Sequence, residues 1–291
     1  MSGPGQVGAA PAEERRRAGL SWAALAPQER LIVVGGALAI VGSLLNIAFQ
    51  QVINAGSAPI VIVAAGFAVG SIFTAGRAYA ANWPLPAPAV ARAGANIVAL
   101  FAILDLLELL PDLSAADLPD DMLSLVAPIV VLAGAAALVV GALRLNAGLA
   151  RPDVTSLSRP QYLVIAGGGL AILGWALMVT VGDIFEIGFL PAVGIAAIAL
   201  ALISVTMSRD PSVADRDIPW DFIVAALAAV AIVVALVHLG EFMRVIEQFD
   251  IGGIEVLGPY VIWIVGLILV ALGAMLWARD ERMGPGARRG P

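Results

Sequence analysis

The chain has 291 residues, of which 60% are hydrophobic and 13% charged, and its mean hydropathy is +0.96. Soluble domains carry about 45–50% apolar and about 25% charged residues, so this composition excludes a cytosolic or secreted globule and predicts a membrane protein. There is no cysteine, which excludes disulfides, thiolate nucleophiles and iron–sulfur or zinc–thiolate sites. A single histidine, His238, excludes a two-histidine zinc motif and a bis-histidine haem pair. All sixteen cations are arginine, which removes Schiff-base lysine chemistry and the phosphate-loop lysine. No cofactor is expected.

In chain order, residues 1–30 read as a mostly disordered cytoplasmic segment, with a polar run around Glu13 to Arg17. Eight apolar runs follow, at 31–53, 59–77, 89–110, 123–144, 161–182, 188–207, 220–239 and 255–277. Each is close to the roughly 20 residues that cross a bilayer. The third is the least regular, because Arg92 and Asn96 interrupt its start and Asp105 and Glu108 its end. The chain closes with a short tail, 279–291. The expected class is an all-α, polytopic transmembrane bundle of about eight spans. At about 160 residues for eight crossings, little remains for a separate soluble domain.

Arginine placement orients the spans. With both termini in the cytoplasm, fifteen of the sixteen arginines lie inside and only Arg244 lies outside. The positive-inside rule counts Arg and Lys in short loops, so this sorting supports an even number of crossings in a cell membrane. Trp22, Tyr79, Trp83, Tyr162, Trp220 and Trp277 then fall together at the inner interface, where amphipathic rings anchor. The formal charge of −6 is sorted between the two faces and implies no nucleic-acid partner.

An offset of 132 residues aligns LIVVGGALAIVGSLL, from Leu31, with LVIAGGGLAILGWAL, from Leu163. The same offset pairs Pro59 with Pro191, Thr74 with Thr206, Arg77 with Arg209, Gly134 with Gly266 and Gly141 with Gly273. These landmarks predict two tandem, parallel four-helix repeats, 31–146 and 161–278, joined by a cytoplasmic linker at 147–160. A unit with an even number of spans re-enters the membrane in the same orientation, which implies a pseudo-two-fold axis along the membrane normal. The first span then belongs to the fold, although the small residues after it resemble a signal-cleavage site. Glycine pairs on spans one and five, and the GFAVG run of Gly66 and Gly70 on span two, predict close helix packing, because small residues supply association in lipid. Lipid, and protein partners or self-association through such Gly/Ala-rich faces, are the expected partners.

Polar residues gather near the outer ends of the odd spans. Asp105 with Glu108, Asp183 with Glu186, and His238 with Glu241 are i, i+3 pairs, so each pair shares one helix face. Asp105 is thirteen residues beyond Arg92, roughly 20 Å along a helix and about two-thirds of the way through a 30 Å apolar layer. A carboxylate there costs about 2.5–3.5 kcal/mol unless protonated or paired. Acids at the C-terminal ends of helices also oppose the helix dipole by about 0.3–1 kcal/mol each. These six residues form a candidate cation or proton site at the outer face; a solvated acidic rim is the bland alternative. Asp117, Asp120 and Asp121 lack the spacing of a calcium loop, and one His-x-x-Glu lacks the symmetry of a di-iron bundle. No nucleophile with a base is visible, so the expectation is a non-catalytic scaffold, assembly or regulatory component. The alternative is a cation- or proton-linked small-solute transporter with an acidic outer vestibule.

Overall fold

The computed structural model describes residues 22–49, 56–75, 84–114, 123–147, 149, 153–180, 188–213, 216–249 and 254–283. Among these, all regular structure is helical. Eight α-helices follow in order: α1 Pro27–Phe49, α2 Ala58–Thr74, α3 Ala87–Ser114, α4 Leu123–Leu145, α5 Arg159–Thr180, α6 Phe189–Met207, α7 Trp220–Phe249 and α8 Ile254–Met283. Short 3-10 turns, Trp22–Ala24 and Val154–Ser156, precede α1 and α5. Seven of the eight are long and apolar enough to cross a bilayer, and α2 is shorter at 17 residues. In hydrocarbon each backbone polar group must be satisfied within the chain, and an α-helix does this internally. The molecule is an all-helical, multi-pass integral membrane protein.

Three helices run past their apolar lengths. The third, seventh and eighth runs end in sequence at 110, 239 and 277, whereas α3 continues to Ser114, α7 to Phe249 and α8 to Met283. Asp105 and Glu108 are therefore interior to α3, nine and six residues before its last residue. The dipole effect falls off within the last turn, so it does not act on Asp105, contrary to the expectation from sequence.

The first four helices pack chiefly as α1 on α4 and α2 on α3, with α1 on α2 and α3 on α4 completing a ring; the last four pack in the same pattern, α5 on α8 and α6 on α7 foremost. Glycines set the α1–α4 and α5–α8 seams. A Cβ on Gly35 would lie 2.5 Å from the Leu138 amide nitrogen and 2.7 Å from the Gly134 carbonyl oxygen. One on Gly167 would lie 2.6 Å from both the Val270 nitrogen and the Gly266 oxygen. No side chain fits at these distances, so the backbones touch directly. The neighbours of Gly42, Gly134 and Gly141 likewise recur 132 positions later around Gly174, Gly266 and Gly273.

Gly66 and Gly70 behave otherwise. A Cβ at either would meet nothing within 4 Å among the described residues, so these two glycines do not pack inside the chain, although Ala68 between them does. The reason is that α2 turns Val61, Ala65, Ala68 and Ile72 inward, which leaves Gly66 and Phe67 on the outer side. Gly169 is equally open.

The two sets of four meet through α3 on α5, α3 on α6 and, less extensively, α2 on α6. A two-fold axis would also place α7 against α1 and α2, and no comparably extensive contact of that kind joins the described residues. Among the described residues the junction is thus one-sided, carried mainly by α3.

Candidate functional site

Asp105 meets a partner from α2. The Ser57 hydroxyl, at the N-cap position of α2, donates to Asp105 Oδ2 at 3.1 Å. It makes no side-chain cap bond to its own helix; its proton is used across the helix pair instead. Ser57 is buried, as are Ser43 and Asn46 on α1, and Asn46 Oδ1 has no hydrogen-bond partner among the described residues. Ser43 and Asn46 are one turn apart on one helix face. Glu108 lies one turn beyond Asp105 and is half-buried. The polar lining at this end of the first four helices thus combines the Asp105 and Glu108 carboxylates with the neutral side chains of Ser43, Asn46 and Ser57.

His238 occupies a different environment. Its ring is edge-on to Trp175, with centroids 5.3 Å apart, and to Trp263 at 5.7 Å. The two indoles are 5.5 Å apart, and Tyr260 lies 5.3 Å from Trp263. All are T-shaped contacts, the arrangement that ring quadrupoles favour. Trp175 is fully buried, and its Nε1 has no hydrogen-bond partner among the described residues. Asp105 is the nineteenth residue of α3 and His238 the nineteenth of α7, so the two stand at corresponding heights. One faces a serine hydroxyl and the other a packed aromatic group. At the 132-residue offset, Ser43 corresponds to Trp175 and Val131 to Trp263, so large rings stand where the first four helices carry small side chains.

Of the remaining candidates, Asp183 and Glu186 lie outside the described residues, as does the side chain of Glu241. Asp117, Asp120 and Asp121 also lie outside them. Among the described residues no three His, Asp or Glu side chains are grouped to hold a metal ion.

A second polar centre lies at the opposite end of the bundle, and sequence reasoning missed it. Arg92, in the second turn of α3, forms a salt bridge with Asp210 in the α6–α7 loop. Asp210 Oδ1 also accepts from the Ser212 amide at 2.9 Å and its hydroxyl at 2.7 Å. Burial alone would raise the Asp210 pKa; the Ser212 and Arg92 hydrogen bonds outweigh it and hold the carboxyl below its ordinary value. The adjacent Arg209 donates through Nη2 and Nε to Gln161 Oε1, at 2.7 and 3.2 Å. That oxygen also accepts from the Ser158 amide at 2.9 Å, closing the start of α5. The Asp153 amide donates to the Arg209 carbonyl at 3.4 Å. One short loop thus ties α3, the segment before α5 and the start of α5 together. Its usable signal was Arg92 itself, since a cation inside a span needs a carboxylate partner.

Chemically, the described polar groups hold helices together through hydrogen bonds and an ion pair. Compared with known proteins, the chain matches no family model, no curated protein and no solved structure.

Proposed function

We propose that this membrane protein is a non-catalytic scaffold, assembly or regulatory component made of two tandem, parallel four-helix units. The units are 31–146 and 161–278, with both chain ends on the cytoplasmic side of a cell membrane. Four kinds of contact recur at the 132-residue offset and support the duplication. The seam glycines face corresponding residues, and the 3-10 turns Trp22–Ala24 and Val154–Ser156 correspond. Glu29 accepts from the Ala26 amide at 2.7 Å as Gln161 accepts from Ser158. The Thr74 and Thr206 hydroxyls each donate to the carbonyl three residues back, at 3.2 and 2.8 Å. The Glu29 and Gln161 bonds are the specific part of this agreement, since Ser71 and Thr180 also donate to the carbonyl three residues back.

The observation that carries the functional reading is the use made of the intramembrane charges. Arg92 is joined to Asp210 and Asp105 to Ser57, so each fastens one helix to another segment. Charged groups inside a membrane otherwise mark ion or solute paths. Reconstitution into proteoliposomes tests this. The scaffold reading expects proton and cation flux no greater than in empty vesicles. A flux that disappears in Asp105→Asn would overturn it.

That outcome would favour the second reading, a cation- or proton-linked carrier, which the position of Asp105 within the span of α3 supports. In that reading Glu108, Asp183, Glu186, His238 and Glu241 form the outer vestibule around it.

A further inference from the structure

Three helices bring oxygen atoms to one level near the outer end of the first four. A Cβ on Gly36 of α1 would press on Val69 of α2 and lie 3.5 Å from the Ala65 carbonyl oxygen. From that contact Asn46 is ten residues further along α1, and Ser57 is eight to twelve residues back along the oppositely running α2, so equal helix rise sets the two at the same height. Ser57 in turn donates to Asp105 of α3. Asn46 is also turned inward. Gly36 faces α2, whereas Gly35 and Gly42 face α4 against Leu138 and Val131; at 3.6 residues per turn Ser43 and Asn46 fall on the arc between those two directions, toward the middle of the four helices. They are 2% and 9% exposed. Two needs are unmet at this level. Asn46 Oδ1 has no hydrogen-bond partner among the described residues. Asp105, within the span of α3, is in no ion pair among them and accepts only from Ser57, although a carboxylate inside a membrane calls for a counter-charge.

We propose that Asn46 Oδ1, the Asp105 carboxylate and the Ser57 hydroxyl oxygen bind one monovalent alkali cation, which ties α1 to the α2–α3 pair. The ligands are all oxygen, the set that hard cations take. A proton on Asp105 would supply a single donor, whereas a cation accepts electron pairs from all three side chains at once. The Ser57 hydroxyl can take part because an oxygen that donates its proton keeps two lone pairs. With one carboxylate among these three side chains, a single positive charge leaves the site neutral. Among the described residues no three His, Asp or Glu side chains are grouped to hold a metal ion, which disfavours a divalent occupant. The inference deepens the scaffold reading, on which it rests: charges within the membrane fasten helices, and the ion is a resident one.

The test uses the full-length protein in mild detergent, with sodium chloride replacing choline chloride at constant ionic strength. The expected result is a saturable rise in melting temperature, about 5–10 °C at a hundredfold excess over the half-saturating concentration, with one radioactive sodium ion bound per chain. Asn46→Ala and Asp105→Asn should each weaken sodium binding by about tenfold or more. Misfolding also abolishes binding, so Asn46→Asp supplies a gain instead: its second carboxylate should let calcium stabilise the protein where sodium did before. Equal melting temperatures in sodium and choline would overturn the proposal, as would sodium binding undiminished in Asp105→Asn. Undiminished binding in Asn46→Ala removes α1 from the site and overturns it equally. Flux through proteoliposomes keeps the two readings apart. Bound sodium without sodium flux supports both, whereas bound sodium with a flux that Asp105→Asn abolishes upholds the site and overturns the scaffold.

Discussion

Removing one partner of the Arg92–Asp210 pair should loosen the junction between the two sets of four helices. The Asp210 side chain is 5% exposed and that of Arg92 is 23% exposed, so the pair lies between the surface and buried extremes. Breaking a fully buried pair costs about 3–5 kcal/mol, whereas an exposed pair contributes about 0–1 kcal/mol. The partial exposure of Arg92, and the Ser212 bonds that Asp210 keeps, place Asp210→Asn near 2 kcal/mol. At about 2–4 °C per kcal/mol for a chain of 150–250 residues, this is a fall of roughly 4–8 °C in melting temperature in mild detergent. Arg92→Met should cost a similar amount, and the double variant less than the sum, because its two costs describe one contact. The reversed pair, Arg92→Asp with Asp210→Arg, should recover part of the loss. Acid gives an independent check. The Asp210 carboxyl is held below its ordinary value, so its contribution is present at neutral pH and is lost as pH falls through the depressed folded-state value. Asp210→Asn should flatten that part of the stability profile. Additive single-variant costs, or an unchanged acid profile, would refute the assignment of the junction to this pair.

Glycine positions should separate into two groups. Gly134→Ala puts a Cβ 2.5 Å from the Ala39 amide nitrogen and should destabilise by at least about 1–3 kcal/mol, read as lost monodisperse yield, whereas Gly66→Ala should leave the monomer unchanged. Trp175→Ala removes a fully buried ring from the His238 cluster and should cost about 3–5 kcal/mol with loss of near-ultraviolet circular dichroism. Ser57→Ala takes away the hydrogen bond to Asp105 and should cost about 1–3 kcal/mol. Combining it with Asp105→Leu should restore part of that stability in thermal denaturation, since an apolar pair has no unmet polar group.

Much of the fold is legible in local patterns. Span positions follow from apolar length; most helix ends fall within four residues of the runs, and α7 alone extends ten residues beyond. The seam glycines could be found because they recur at one offset. Asp105 could be identified as intramembrane by counting, but its partner Ser57 could not, since a serine before Ala-Pro reads as an ordinary helix cap. His238 appeared to belong with the acids by sequence spacing. Trp175 and Trp263, from α5 and α8, also stand against its ring, and neither is near it in the chain.

Sequence alone determined the number of apolar segments, the sorting of arginines and the spacing of the close-packing glycines, because bilayer thickness and helix rise act on each segment separately. Tertiary structure decided which face of each helix is inside. In a soluble helix the polar face marks the outside, but here lipid and protein core are both apolar, and no periodicity distinguishes them. The outward turn of Gly66, the one-sided junction and the choice of Asp210, 118 positions from Arg92, therefore depend on how helices remote in sequence pack together.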